Sequence, residues 1–197
     1  MFVLGLTGSI GMGKSATAEI FCRQGVAVHD SDATVHALYR GAAAPLVEAV
    51  FPGTVRDGTV DRNLLAAQVL ADAGAIKRLE AIVHPLVRAS RIAFIDEAKL
   101  RGDRIVVVDI PLLYETGADA EVDAVLLVTA PETVQKQRIM AREGMTEQKL
   151  AAILAKQMPD AEKRRRADFI LDTSTGLADA ERQVRDLIGK ILAGAPQ

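Results

Sequence analysis

The chain has little of the chemistry that builds disulfides or transition-metal sites. It contains one cysteine, Cys22, and three histidines among its 197 residues. A single cysteine excludes a disulfide framework within the chain, and its position in a stretch of apolar periodicity predicts a buried, reduced thiol. So few histidines and cysteines also supply too few ligands for a transition-metal cluster. We therefore interpret His29 and His36 as ordinary structural residues and expect a cytoplasmic location.

An excess of basic residues and long apolar runs are also missing. The formal net charge is -2, whereas a nucleic-acid binder typically carries a basic face. No apolar run approaches the roughly 18 residues that a membrane span needs, and the start of the chain, MFVLGLTG, lacks the basic segment of a signal peptide. We expect a globular protein that acts on a small molecule, with no nucleic acid, no membrane and no obligate protein partner.

Five short apolar runs rich in β-branched residues predict strands. Each run is continuous rather than alternating, which favours a parallel sheet covered on both faces, and helical patterns separate the runs. The expected fold is therefore α/β and three-layered, with a five-stranded parallel sheet. The runs are residues 2–6, 26–29, 105–110, 124–129 and 169–171.

Two helical stretches are longer than strand-to-strand connections require. The first separates the second and third runs, with breaks at Gly41, Pro52-Gly53 and Asp57-Gly58, and it predicts an inserted helical substrate lobe. The second is rich in Arg and Lys and is broken at Gly144 and Pro159, which suits a helical lid. The predicted parts of the single domain are a core of residues 1–30, 104–140 and 167–197, a lobe of residues 31–103 and a lid of residues 141–166.

The first predicted strand runs directly into GSIGMGKS, and a helical pattern follows. This is the phosphate-binding pattern GxxxxGK[ST] in its required setting: backbone N–H groups turn inward around phosphate oxygens, and the helix N-terminus adds partial positive charge. The expected three-layer fold is therefore a P-loop fold, and its core is the nucleotide-binding part of a single kinase domain. We expect Lys14 to reach the β- and γ-phosphates of ATP and the hydroxyl of Ser15 to ligate Mg²⁺. The alternative is a glycine turn that happens to contain a lysine. The residues assigned to the loop are Gly8, Ser9, Ile10, Gly11, Met12, Gly13, Lys14, Ser15 and Ala16, among which Ser9, Ile10 and Met12 would use only their backbone.

Two acids, Asp30 and Asp32, follow the second predicted strand. Ligands of open α/β sheets bind outside the carboxyl ends of the strands, so we expect these acids to face the same crevice as the phosphate loop. Phosphoryl transfer to an alcohol needs a group that orients the hydroxyl and accepts its proton. One acid could take this role while the other steadies Mg²⁺ through water. The alternative is that one of them merely caps the helix predicted to begin near Ala33.

Several segments taken together resemble dephospho-coenzyme A kinases over essentially the whole chain. They are GLTGSIGMGKS, VHDSDATVHALY, the His84-Pro85 pair, DIPLLYE and QKQRIMAREGMT. The phosphate loop is shared with many kinases, whereas the combination is much more specific. The resemblance implies transfer of the ATP γ-phosphate to the ribose 3′-hydroxyl of dephospho-coenzyme A, with Asp32 as general base. It also implies that the lobe grips the coenzyme and that Arg138 contacts ATP phosphates; the family often has glycine in place of Ser9.

Arg138 and Arg142 can also be interpreted from their spacing, without the resemblance. Arg138 and Arg142 lie four residues apart on a predicted helix and so would share one face, where their planar forks could clamp phosphate oxygens. The alternative is a solvated helical face. The basic run at residues 163–166 is interpreted as solvated and helical.

The remaining candidates are assigned to the acceptor side or to the metal. His84 precedes Pro85, which predicts the start of a helix, and the resemblance supports a substrate-side role for His84, to which we add Arg88. Tyr114 and Glu115 follow the third strand and are expected to line the acceptor site. Asp109, inside that strand, is either a magnesium-supporting acid or a buried acid bonded to the backbone of the loop.

Three other functions are possible for a chain with this loop. A shikimate- or nucleoside-monophosphate-kinase-like enzyme is the nearest, but a shikimate-type site would have a glycine triplet where this chain has PLLYE after the third strand. A guanine-nucleotide switch needs NKxD, and the only asparagine, Asn63, is followed by leucine. A module that only binds nucleotide would not need Lys14, Ser15 and Asp32 together.

Overall fold

A computed structural model describes residues 1–72 and 74–194. Five strands form one sheet whose spatial order is β2-β5-β1-β6-β7, and the strands of the β1–β5, β1–β6 and β6–β7 pairs run parallel. A separate antiparallel hairpin is formed by β3 and β4. The strands are β1 (Phe2–Thr7), β2 (Ala27–Asp30), β3 (Val55–Arg56), β4 (Thr59–Val60), β5 (Ile105–Asp109), β6 (Ala124–Thr129) and β7 (Phe169–Asp172).

Helices fill most of the chain between the strands. A short 3₁₀ helix, Ala118–Glu121, precedes β6. In the described residues, no helix has both the length and the apolar character needed to cross a membrane. The α-helices are α1 (Lys14–Arg23), α2 (Ser31–Leu38), α3 (Ala44–Val50), α4 (Arg62–Ala71), α5 (Ala75–Arg101), α6 (Glu132–Met140), α7 (Glu147–Leu154), α8 (Asp160–Arg166) and α9 (Leu177–Leu192).

The chain divides into two compact units, of which the second is Asp30–Asp96. The first unit contains Met1–His29 and the described residues from Glu97 onward, and therefore the sheet apart from Asp30. The predicted assignment of residues 31–103 to a substrate lobe, of residues 141–166 to a lid and of the rest to a nucleotide-binding core stays a prediction; residues 195–197 of that core lie outside the described residues.

The core of the first unit explains why its strands read as continuous apolar runs. Every residue of β5 and β6 is buried, as expected for central strands of a parallel sheet covered on both faces. Apolar side chains of β1 and β6 pack with those of α1 and α9, including Leu4, Phe21, Leu126 and Val184. All five strands predicted from the sequence are present, and the α/β class with a five-stranded sheet is confirmed.

The second unit has its own core and a hairpin that the sequence interpretation missed. Ala43, Val47, Phe51, Val60 and Leu65 are buried together. The segment was expected to be helical throughout, but the break at Asp57-Gly58 is the two-residue turn between β3 and β4, with φ values of 49° and 73°. Positive φ at both positions is characteristic of hairpin turns that favour Asp-Gly.

The expected helix start at His84-Pro85 is wrong. Pro85 lies inside the 27-residue helix α5, although proline cannot donate the helical backbone hydrogen bond. Leu79, Ile82 and Leu86, on both sides of the proline, pack against the core of the second unit. This packing supports the helix through the position where its backbone is weakest.

The expected burial of Cys22 is also wrong. Cys22 is exposed, whereas its neighbours Ile20 and Phe21 are fully buried. Successive helical residues point about 100° apart, so the apolar face of α1 that carries Thr17, Ile20 and Phe21 turns Cys22 toward solvent.

A matched pair of substitutions tests this core. Leu4→Ala removes a fully buried side chain from β1 and is expected to lower the free energy of unfolding by about 2–5 kcal/mol. Leu100→Ala makes the same change at a position that is 89% exposed, and it should change the free energy of unfolding by less than about 0.5 kcal/mol. Urea denaturation measures both; equal effects would contradict the packing described.

Candidate active site

The phosphate loop connects β1 to α1 within the first unit, and its glycines are required by geometry. Gly13 precedes the helix with φ 91°, and a Cβ there would lie 3.0 Å from Thr173. A Cβ on Gly8 would lie 2.7 Å from the carbonyl oxygen of Val128. Any larger residue at these two positions would displace the loop from the ends of its neighbouring strands. The loop is therefore a fixed structure and not merely a flexible glycine turn.

Side chains from the surrounding helices hold the tip of this loop. The Gln135 side chain donates to the carbonyl oxygen of Ile10 at 2.7 Å, and the Ile10 N–H donates to Gln157 Oε1 at 3.2 Å. The Met12 side chain is only 3% exposed, and its sulfur accepts a hydrogen bond from the Ala130 N–H. Met12 thus anchors the loop through its side chain, which the sequence interpretation had treated as uninformative.

The lysine of the loop is paired with the acid at the end of β5. Lys14 Nζ lies 2.5 Å from Asp109 Oδ1, and the two side chains are 15% and 4% exposed. The parallel register opposes Asp109 to Leu6, near the end of β1 where the loop begins. Asp109 is therefore a buried acid bound to the loop through the side chain of its lysine.

Arg138 joins the loop to the end of β7. Its guanidinium donates to Thr173 Oγ1 at 2.8 Å and to the Thr173 carbonyl oxygen at 2.7 Å. The Thr173 hydroxyl in turn donates to the carbonyl oxygen of Met12 at 2.8 Å. Thr173 was not identified from the sequence, but it lies two residues after the predicted strand 169–171 and directly after β7, where the strand-end rule that selected Asp30 and Asp32 could also have found it.

The expectation that Arg138 and Arg142 share one helical face is wrong. Helix α6 ends at Met140, and the Arg142 N–H bonds to the carbonyl oxygen of Ile139 in a tighter turn. Arg142 is exposed beyond the helix end. The four-residue spacing therefore does not describe how these two arginines are arranged.

A cavity of about 490 Å³ lies beside the loop in the first unit. Arg164 lines this cavity and donates hydrogen bonds to Thr129 Oγ1 at 2.5 Å and to Asp160 Oδ2 at 2.6 Å. The cavity combines apolar and polar walls at the loop and could accept part of a nucleotide. Its lining is Ser9, Met12, Ala130, Pro131, Glu132, Gln135, Leu154, Gln157, Met158, Pro159, Asp160 and Arg164.

Glu115 fastens the segment that was assigned to the lid. Its Oε1 accepts the Met158 N–H at 2.7 Å and lies 3.0 Å from the ammonium of Lys163, whose side chain is fully buried. Burial raises the pKa of Glu115, but the Met158 and Lys163 contacts outweigh it, so that the pKa is lowered overall. Glu115 therefore remains ionised, and Lys163 is not part of a solvated basic run.

Tyr114 contacts the same segment. The Arg166 guanidinium carbon lies 4.4 Å from the centre of its ring, and Arg166 also pairs with Asp119 at 2.8 Å. The Tyr114 hydroxyl is buried and has no hydrogen-bond partner in the part of the chain that the structure describes. Burial and the nearby Asp168 raise the pKa of Tyr114 to about 12. The acceptor-site role assigned to Tyr114 and Glu115 stays a prediction.

In the second unit, the two acids after β2 have different environments. Asp30 caps α2, its Oδ1 accepting the Ala33 N–H at 3.0 Å, so the capping alternative is confirmed for Asp30. Asp32 is exposed in the first turn of α2 and lines a cavity of about 520 Å³. Its carboxylate is thus available to a ligand of that cavity. The lining is Asp32, Val35, His36, Tyr39, Arg62, Leu65, Ala66, Val69 and Leu79.

His84 and Arg88 are also in the second unit, exposed and one turn apart on α5. Neither lines the cavity that contains Asp32. His36 does, although it was interpreted from the sequence as an ordinary structural residue, and Arg62 was not considered at all. The spacing of four residues on α2 could have connected His36 to Asp32, whereas no spacing connects Arg62 to Asp32, because the hairpin β3–β4 that precedes Arg62 was not predicted.

Comparison with known proteins gives one consistent family. The model of the dephospho-CoA kinase family matches residues 2–179. A dephospho-CoA kinase of Mesorhizobium japonicum is 63% identical over 191 residues, covering 97% of each chain. A solved structure of a Thermus thermophilus protein has a TM-score of 0.81 at 36% identity, covering 96% of this chain and 97% of that one. The dephospho-CoA kinase of Campylobacter jejuni has a TM-score of 0.76 at 27% identity, covering 98% of both.

The two tyrosines allow a direct test of the Tyr114 environment, because the chain has no tryptophan. In a Tyr39→Phe variant, phenolate absorbance should appear only near pH 12 in the folded protein, and near pH 10 after unfolding in urea. Because the folded-state pKa is raised from 10.0, the stability contribution of Tyr114 is fully present below pH 10 and is lost as pH rises through about 12. A folded-state transition at or below pH 10 would contradict the burial described.

Proposed function

The chain belongs to the dephospho-CoA kinase family, and on that premise we propose that it transfers the γ-phosphoryl group of ATP to the ribose 3′-hydroxyl of dephospho-CoA, giving CoA and ADP. The observation that carries the proposal is the extent of the family match: residues 2–179 include the phosphate loop, both acids after β2 and the segment through Thr173. We place the reaction in the cytoplasm, in keeping with a single cysteine, which cannot form a disulfide within the chain.

The phosphate loop would bind the triphosphate of ATP. Loop N–H groups and the N-terminus of α1 attract phosphate oxygens, and Lys14 can exchange Asp109 for the β- and γ-phosphates without leaving its site. Arg138 is held by two of its five N–H donors, which leaves the others to contact phosphate oxygens. Both cations would then stabilise the charge on the migrating phosphoryl group.

The residues at the loop fit a magnesium ion. Mg²⁺ in kinases is usually held by a few protein oxygens together with substrate phosphates and water. Ser15 is exposed in the first turn of α1, and its hydroxyl is a candidate ligand. Asp109 contacts Lys14, the residue before Ser15, and so places a carboxylate near the same position. The ion would supply charge neutralisation and alignment of the phosphates, while Ser15 would orient it.

Asp32 would orient the acceptor hydroxyl and take its proton. This assignment is supported by its exposed carboxylate in a ligand-sized cavity and by the capping of α2 by Asp30, which leaves Asp32 without a structural task. The proton moves from the 3′-hydroxyl to the Asp32 carboxylate as the oxygen attacks the γ-phosphorus and the bond to ADP breaks.

The most direct test of the proposed reaction is ADP release across a panel of acceptors. Purified enzyme with ATP and Mg²⁺ should release ADP in the presence of dephospho-CoA, and mass spectrometry should show CoA as the product. Shikimate and nucleoside monophosphates, the acceptors of the alternative kinase classes, should give little release. A higher kcat/KM for either alternative than for dephospho-CoA would reject the proposal.

Asp32→Asn tests the general base. The amide cannot accept the proton, so kcat should fall by about 10²–10⁴-fold while the affinity for ATP is retained. Asp30→Asn is the matched control: asparagine also caps helices well, so this variant should keep near-normal kcat. Comparable kcat values for wild type and Asp32→Asn would remove Asp32 from the chemistry.

Lys14→Ala tests the loop cation, and a second substitution separates catalysis from stability. The single variant should lose about 10²–10³-fold in kcat and, because it removes the cation that pairs with the buried carboxylate of Asp109, on the order of 3 kcal/mol of stability. Lys14→Ala/Asp109→Asn should recover much of the stability but none of the activity. Recovery of kcat in the double variant would show that Lys14 acts only through folding. The control is Lys190→Ala, which removes an exposed lysine on α9 and should change neither kcat nor stability.

A further inference from the structure

The hairpin of the second unit determines which side chains surround Asp32. The N–H of Val60, the last residue of β4, donates to the carbonyl oxygen of Tyr39 at 2.9 Å and so ties the hairpin to the end of α2. The next residue, Asp61, caps α4 by accepting the N–H groups of Asn63 and Leu64. Arg62 is thereby fixed as the first residue of α4, beside α2.

Arg62 contacts His36 across the cavity. Its NH1 lies 3.3 Å from His36 Nε2, a ring nitrogen that can accept a hydrogen bond from the guanidinium. Within the described residues, no carboxylate pairs with Arg62. Arg62 lines the same cavity as Tyr39, and its charge opposes the rise in pKa that burial imposes on the Tyr39 hydroxyl. Arg62 is thus an exposed guanidinium that contacts the imidazole of His36 at the cavity.

The cavity has a polar side and an apolar side. Asp32 and His36 lie on successive turns of α2, with Arg62 against His36. The lining also includes the aliphatic side chains of Leu65, Val69 and Leu79, which we call the aliphatic wall. A ligand that matches this cavity has an anionic group for Arg62, a hydroxyl for Asp32 and an uncharged portion for the aliphatic wall.

We propose that Arg62, oriented by His36, binds the diphosphate of the acceptor and thereby sets the position of the ribose against Asp32. The inference rests on the proposed function, since dephospho-CoA carries a diphosphate on the 5′ carbon of the ribose whose 3′-hydroxyl is phosphorylated. A guanidinium can donate two parallel hydrogen bonds to phosphate oxygens, which fixes orientation as well as affinity. Arg62 is a positioning residue, because it acts on a part of the acceptor that does not react.

The first test measures KM for each substrate in Arg62→Gln. Loss of a charge-assisted contact should raise the KM for dephospho-CoA by about ten- to a hundredfold and leave the KM for ATP within about twofold. Arg62→Lys keeps the positive charge but loses the two parallel donors of the guanidinium, so its KM for dephospho-CoA should be intermediate. This variant replaces Arg62→Gln in the test if Arg62→Gln folds poorly. Arg56→Gln, at an exposed arginine on the hairpin outside the cavity lining, is the matched control and should leave both KM values unchanged.

The second test uses adenosine, an acceptor fragment without the diphosphate. Its kcat/KM, or its inhibition constant against dephospho-CoA at saturating ATP, should be the same in wild type and Arg62→Gln. Equal losses for adenosine and dephospho-CoA would overturn the inference, because they would mean that Arg62 only shapes the cavity. An unchanged KM for dephospho-CoA in Arg62→Gln would also overturn it while the proposed function stands, whereas a wild-type enzyme inactive on dephospho-CoA would reject both.

Discussion

The contact between Lys14 and Asp109 is the interaction on which the candidate nucleotide site depends. It joins the phosphate loop to the neighbouring strand of a sheet in which every residue of β5 and β6 is buried. Since the paired strands are parallel, their carboxyl ends meet at one edge, and that edge supplies the loop after β1, Asp109 at the end of β5 and Thr173 after β7. Burial of the sheet makes these positions rigid, so the cation is already oriented before any phosphate arrives.

A second set of contacts extends this rigidity to the helices. Thr173 connects Arg138 to the backbone of the loop, and Gln135 and Gln157 bond to the loop tip. Charge-stabilising groups that are fixed in advance do not have to reorganise during phosphoryl transfer, which is the main electrostatic advantage of an enzyme site over water. Asp32, by contrast, is exposed in the second unit, which agrees with its proposed role toward a large incoming acceptor.

Local patterns in the sequence were sufficient for the sheet and the phosphate loop. Continuous apolar runs identify buried parallel strands, and GSIGMGKS identifies the loop because its backbone geometry demands those glycines. Features that depend on tertiary packing were not predictable in this way: Pro85 lies inside a helix supported by its neighbours, and the pairing of His36 with Arg62 needs a hairpin between distant segments. The Asp57-Gly58 pair is a sequence typical of a hairpin turn, but it was interpreted only as a break between helices.

Calorimetric titration of ATP and its shorter relatives, each with Mg²⁺, tests the central claim most directly. If the loop and Lys14 bind a polyphosphate, ATP should bind at one site per chain with a measurable heat, and AMP, which lacks the β- and γ-phosphates, should bind far more weakly at the same site. Absence of heat with ATP, or equal affinity for AMP and ATP, would contradict the account.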